Sequence, residues 1–238
     1  MEKKIKFSWV AFDSAVLQSG IEQSFTFFNS ETNIGENEVR KWENDFLNLL
    51  IKKSSFRELL LGELFLPFTT KFFTHIRQPF ITYHNHKPGD IDLLLVDPYK
   101  PESAIAIECK KVNVTTSIGS ESVNKREKIR NAVSQVKGLI GMGFSKVYLM
   151  VLIGSYGADK LDVNYLYRGI RDESFKKVYN FPDREYLDDR AGIIFVEIVQ
   201  PTGVSINYRG VFLVGIDRYA QEQAQPKDIT LKIKSLLT

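Results

Sequence analysis

Hydrophobic positions recur along this chain with two different periods, and the change from one to the other outlines its organisation. Over about 37–52, Val39, Trp42, Phe46, Leu49 and Leu50 return at three- and four-residue steps, which predicts a helix. A second helix is predicted over about 56–66 from Phe56, Leu59, Leu60, Leu64 and Phe65, with Pro67 closing it. Short apolar runs near 72–83, 91–97 and 103–109 then read as strands, bounded by Lys87-Pro88-Gly89 and by Asp97-Pro98-Tyr99-Lys100-Pro101. The helical period returns over 122–141 through Val123, Ile129, Ala132, Val133, Val136, Leu139 and Ile140. Gly141-Met142-Gly143 ends that helix, and Val147 to Ile153 forms a buried strand. Further elements are expected as a helix near 163–178, strands near 192–199, 204–208 and 211–216, and a short helix near 228–237. The middle of the chain therefore runs helix, three strands, helix, strand. That order predicts an α/β fold with a central mixed β-sheet flanked by helices.

The organisation expected is a single domain over 1–238, with a core at about 56–153, an aromatic-rich N-terminal arm at about 1–35 and a C-terminal elaboration at about 154–238. A chain of 238 residues can bury a substantial core without disulfides or a structural metal. Its single cysteine, Cys109, excludes a disulfide framework and a cysteine-rich zinc site, and makes a reducing cytoplasm the simplest compartment. No run approaches the ~18 apolar residues of a membrane span, and the mixed, partly acidic start argues against a signal peptide. The net charge of +3, from 32 basic and 29 acidic residues, permits a nucleic-acid enzyme without arguing for one. There is no phosphate-binding P-loop and no Gly-x-Ser-x-Gly elbow. His75, His84 and His86 precede the second strand. A His84-x-His86 pair lacks a third metal ligand at suitable spacing, so turn or substrate-contact roles are expected for all three.

The informative stretch is Pro88-Gly89-Asp90-Ile91-Asp92-Leu93-Leu94-Leu95-Val96, followed after a turn by Ala104-Ile105-Ala106-Ile107-Glu108-Cys109-Lys110. Alternate residues of a strand share a face, so Glu108 and Lys110 point one way while Ile107 and Cys109 point the other. Asp90 and Asp92 likewise share a face, and in a hairpin one of them can meet Glu108 and Lys110. Two carboxylates and a lysine beside an apolar sheet are costly to bury unless something compensates. A divalent cation does so, since two carboxylates and the backbone carbonyl of Cys109 offer hard oxygen ligands suited to Mg2+ or Mn2+. The lysine would then serve an attacking water or charge on phosphoryl oxygens. The chemistry implied is metal-assisted phosphodiester hydrolysis.

With those residues in place, Gly89-Asp90-Ile91-Asp92-Leu93 and Ile107-Glu108-Cys109-Lys110 resemble the two signature strands of the PD-(D/E)xK nuclease superfamily, the restriction-endonuclease-like fold. The resemblance covers about residues 56–153 and implies an αβββαβ core. It implies catalytic roles for Asp92, Glu108 and Lys110. Asp92 and Glu108 would hold the metal together with the Cys109 carbonyl, and Asp90 is the alternative ligand. It further implies an accessory glutamate on the preceding helix, matched by Glu63, and a polar residue on the following helix, matched by Gln135. Gln135 lies about 40° outside the apolar stripe of its helix. Lys125, Arg126, Lys128 and Arg130, at the start of the long helix, would contact DNA phosphates in this reading, or form a solvated helix face.

The function expected is thus a Mg2+- or Mn2+-dependent nuclease acting on DNA, with a homodimer and a motor or assembly partner as possible associations. Two other readings stand beside it: an ordinary salt-bridged strand pair, and a catalytically inactive binding or assembly subunit on the same scaffold.

Overall fold

The computed structural model describes residues 7–11, 26–27, 43–81, 89–117, 120–124, 127–157, 185–199 and 211–238. In chain order the elements are β1 (Phe7–Ala11), β2 (Thr26–Phe27), α1 (Glu43–Lys52), α2 (Ser54–Glu63), β3 (Lys71–Ile76) and β4 (Ile91–Val96). They continue with β5 (Ile105–Ser117), β6 (Ser120–Asn124), α3 (Glu127–Met142), β7 (Lys146–Gly157), β8 (Gly192–Val199), β9 (Val211–Arg218) and α4 (Lys227–Leu237). One nine-stranded sheet runs in the order β2-β1-β9-β8-β7-β5-β4-β3, with β6 paired to β5 off that path. Strands β3, β4 and β5 form an antiparallel meander, β5, β7 and β8 are parallel, and β9 returns antiparallel beside β8 and β1. The sheet is mixed and helices cover both faces, as the sequence predicts.

Strand alternation sorts the core into two layers. Leu93, Leu95, Ile105, Ile107, Cys109, Met150 and Leu152 face α1 and α2, where they meet Phe46, Leu47, Leu50, Phe56 and Leu60. Leu94, Val96, Ala106, Val112, Leu149, Val151 and Ile153 face the other way, under Ile129, Ala132, Val136 and Leu139 of α3 and Ile229 and Ile233 of α4. Because β5 and β7 are parallel, their connection has to cross over, and α3 lies on that path.

Several boundaries differ from expectation, each for a local reason. Of the helix expected over 37–52, residues 43–52 are described and helical. Helix α2 ends at Glu63 rather than 66, because Phe65 takes a left-handed φ of 56° and the Leu66 amide turns back to the Leu61 carbonyl. The strand expected over 72–83 stops at Ile76, ahead of a turn that contains Pro79, which has no N–H for a ladder. The strand expected over 103–109 runs instead to Ser117 and turns back as β6, over residues expected to be loop and the first turn of the long helix. The β-branched Val112, Val114, Thr115, Thr116 and Val123 suit that extended hairpin, so α3 begins only at Glu127. Gly143 ends α3 as expected. Its φ is +89°, and an added Cβ would lie 2.7 Å from the Pro226 ring.

The N-terminal arm contributes β1, which pairs with β9 and so belongs to the sheet. The C-terminal β8 and β9 likewise continue the sheet beside β7. The expected helix at 163–178 and strand at 204–208 lie outside the described residues. Among the described residues no helix is long and apolar enough to cross a membrane.

Candidate functional site

The site begins where two paired strands part. The β4–β5 ladder runs through Leu95–Ile105, Leu94–Ala106 and Leu93–Ile107 and goes no further, while β6 joins β5 only from Asn113. Between these partners the edge of β5 has two backbone donors to satisfy. The Cys109 N–H donates to Asp92 Oδ2 at 2.7 Å, and the Lys111 N–H donates to Glu43 Oε2 at 2.6 Å. Two side-chain carboxylates therefore stand where a neighbouring strand would otherwise be.

Alternation then sets the faces. Ala106 and Val112 lie in the core layer under α3, while Ile107 and Cys109 lie in the layer under α1 and α2. Glu108 and Lys110, in phase with Ala106 and Val112, are on the α3 side, as their i, i+2 spacing predicts. Glu108 is fully buried, and Asp92 and Lys110 are each only 7% exposed. The Lys110 ammonium donates to Glu108 Oε1 and, at 2.9 Å, to the Cys109 carbonyl. It also lies 3.7 Å from Glu43 Oε1 and 4.0 Å from Asp92 Oδ2.

Three carboxylates thus converge on one ammonium, and burial dominates the titration of two of them, Asp92 and Glu108. Desolvation pushes the Asp92 carboxyl up to about 6 against the pull of Lys110 and the Cys109 N–H. Desolvation, reinforced by the Asp92 charge, pushes Glu108 up to about 8. For Lys110, burial would lower the ammonium, but Glu108, Asp92 and Glu43 together hold it above the ordinary lysine value. The Cys109 thiol is fully buried and pushed up by desolvation, which suits a core side chain and not a nucleophile.

One atom in this cluster has no partner. Among the described residues Glu108 Oε2 is buried without a hydrogen bond, although Oε1 is held by Lys110. An orphaned carboxylate oxygen beside a second carboxylate is a poor structural feature and a good cation ligand. Asp92 and Glu108 are the residues of the fork that could hold a small divalent cation. The Cys109 carbonyl is adjacent, and here it accepts from Lys110.

Beyond Asp92 the geometry adds His75, a residue expected from sequence in a turn or substrate-contact role. His75 on β3 lies between the pairs Thr74–Leu93 and Ile76–Ile91, opposite Asp92. His75 Nδ1 is 3.7 Å from Asp90 Oδ2. One donor atom each from His75, Asp90 and Asp92 lie within 4.8 Å of one another.

The other expected residues fall as follows. Glu63 is the last residue of α2, and the helical carboxylate that reaches Lys110 is Glu43, twenty positions earlier, in the first turn of α1. Gln135 is half-buried on α3, and its amide makes no hydrogen bond among the described residues. Lys125 and Arg126 lie outside the described residues. Lys128 belongs to the first turn of α3, and Arg130 is exposed on that helix. Lys111, next to Lys110 on β5, is buried, with its ammonium 4.7 Å from the centre of the Phe46 ring. Glu43 is the residue that sequence reasoning missed, and His75 was expected in a turn or substrate-contact role rather than on a strand beside the two aspartates. The weak signal for Glu43 was an acidic residue opening a helix; for His75 there was only its place on a strand next to the acidic one.

Comparison of the chain with protein-family models, with curated proteins and with solved structures finds no match.

Proposed function

We propose that this protein is a Mg2+-dependent nuclease, with Mn2+ able to substitute, that hydrolyses phosphodiester bonds in DNA on a restriction-endonuclease-like αβββαβ core. The observation that carries the proposal is the unpartnered, buried Glu108 Oε2 beside Asp92, on the sheet face that also carries Lys110. The order of α2, β3, β4, β5, α3 and β7, with the β6 hairpin inserted, supports the fold reading.

In this reading Asp92 and Glu108 hold the cation. When bound, the cation supplies a Lewis acid for the phosphoryl group and an activated water. Lys110, kept protonated by its carboxylate neighbours, sits beside both ligands and stabilises negative charge on phosphoryl oxygens. Glu43 positions Lys110 through charge at 3.7 Å, and positions β5 through the Lys111 N–H. Lys125, Arg126, Lys128 and Arg130 are the proposed phosphate contacts, and Gln135 an accessory on α3.

The test is cleavage of plasmid, single-stranded and branched DNA with and without Mg2+, comparing wild type with Glu108→Gln and Lys110→Ala. The expected result is metal-dependent cleavage by wild type and a loss of at least about 100-fold in each variant, the scale of removing one charge-stabilising group. Equal cleavage by all three proteins would remove the site assignment. Absence of any cleavage would favour a binding or assembly subunit.

A further inference from the structure

We infer that His75, Asp90 and Asp92 form a second cation position, separate from the one on Glu108 and sharing Asp92 with it, that takes Mn2+ or another first-row transition ion in preference to Mg2+. The site goes beyond the proposed nuclease centre, and its existence does not depend on the protein cleaving DNA.

Three observations converge on it. The donor atoms of the three residues lie within 4.8 Å of one another. Metal–ligand bonds of about 2.1 Å place donors on one ion roughly 3 Å apart when adjacent and about 4.2 Å when opposite, so shifts on the order of 1 Å close the site. Next, among the described residues both ring nitrogens of His75 are buried without a hydrogen-bond partner, and a neighbouring ion would satisfy one of them. Asp92 has a spare oxygen as well: its Oδ2 is committed to the Cys109 N–H, and no hydrogen bond to its Oδ1 exists among the described residues. Finally, His75 has a left-handed φ of 53° at the penultimate position of β3, a conformation uncommon for a residue with a side chain. That backbone interrupts regular pairing at the point opposite Asp92, between Thr74–Leu93 and Ile76–Ile91. Strain of this kind persists where surrounding structure enforces it, and it gathers at functional sites.

The choice of ion follows from the ligands. Oxygen-only sets suit Mg2+, whereas an imidazole ligand favours first-row transition ions, and Mn2+ also accepts the two carboxylates. Access is available, since the side chains of His75 and Asp90 are 22% and 35% exposed, and an ion could keep waters there. The fully buried Glu108, with its own unpartnered oxygen, lies on the other side of Asp92 as the terminal ligand of the first position. Asp92 would then bridge two ions.

The experiment is Mn2+ binding to the full chain, read by calorimetric stoichiometry and by electron spin echo modulation from directly bound nitrogen. Wild type should bind two Mn2+ per chain, one with a nitrogen ligand, and excess Mg2+ should displace only the ion that lacks it. His75→Asn tolerates the left-handed backbone but removes the ligand nitrogen, and should bind one Mn2+ without nitrogen modulation. Asp90→Asn, in case the first variant folds poorly, should weaken the nitrogen-bound ion at least about tenfold, as expected for loss of one charged ligand. Glu108→Gln should retain the nitrogen-bound ion and lose the other. Wild-type Mn2+ bound without nitrogen modulation, or nitrogen modulation that survives His75→Asn, would overturn the inference. Nitrogen-bound Mn2+ in a wild type that cleaves no DNA would support the inference and refute the nuclease reading.

Discussion

Lys110 and Glu108 show how two residues on one strand can each be intelligible only through the other. Burial opposes charge on both, yet the ammonium stays protonated because three carboxylates face it. The carboxylates bear the cost. Glu108 is raised to about 8 and Asp92 to about 6, each above its ordinary value, chiefly by desolvation. A carboxyl raised on folding favours the folded state at low pH, and that contribution is lost as pH rises through the folded value. The metal-free protein should therefore lose thermal stability between about pH 5 and pH 9, and Glu108→Gln should flatten the upper part of that slope; melting curves across pH check both. Cation binding requires deprotonated ligands, so Mg2+ affinity should climb over the same interval with proton release. Calorimetry in two buffers of different ionisation enthalpy measures the protons, and a pH-independent affinity would contradict the role given to Glu108.

At the scale of elements, the decisive feature is the bare edge of β5 between its two antiparallel partners. Asp92 and Glu43 satisfy the Cys109 and Lys111 amides there, so α1 is tied to the sheet by its first residue as well as by its apolar face. Glu43→Ala leaves the Lys111 N–H without its acceptor and should cost about 1–3 kcal/mol, whereas Glu43→Gln keeps an acceptor and should cost less. Urea denaturation of the two variants separates the hydrogen bond from the charge. On the opposite layer Leu139 of α3 is fully buried against the sheet. Leu139→Ala should destabilise by about 2–5 kcal/mol in the same assay, through lost transfer energy and a residual cavity. Position 192 has a different constraint: a Cβ at Gly192 would lie 2.2 Å from the Tyr148 ring and 2.7 Å from the Ala220 backbone. The strand β8 is thus held at a separation that only glycine permits.

For the molecule as a whole, the continuous sheet means that the ends of the chain matter to the middle. Strand β1 pairs along β9 from Phe7–Gly215 to Ala11–Val211, and so covers an edge that would otherwise be open. Removing residues 1–27 should lower the melting temperature and produce concentration-dependent association, since an uncovered edge strand invites pairing with another chain. Light scattering and thermal melts test this, and an unchanged monomer would show that β9 is protected in another way.

Much of this was legible from sequence, and the reason is periodicity. The apolar period placed α1, α2, α3, β4, β7 and β8, because each buries one face and local spacing reports which face that is. The same rule put Glu108 and Lys110 together and Cys109 in the opposite layer, since neighbours on a strand must alternate. Periodicity cannot report where paired strands part, how far β5 extends, or what lies beside it. Glu43 reaches Lys111 across 68 positions of sequence, and His75 meets Asp92 through the β3–β4 register and a left-handed backbone. The sequence alone determined the layers, the strands and the face on which the charged residues gather. Only the tertiary structure decided which helical carboxylate completes the cluster and which histidine stands beside it, because those choices depend on long-range register and on hydrogen bonds left open at a strand edge.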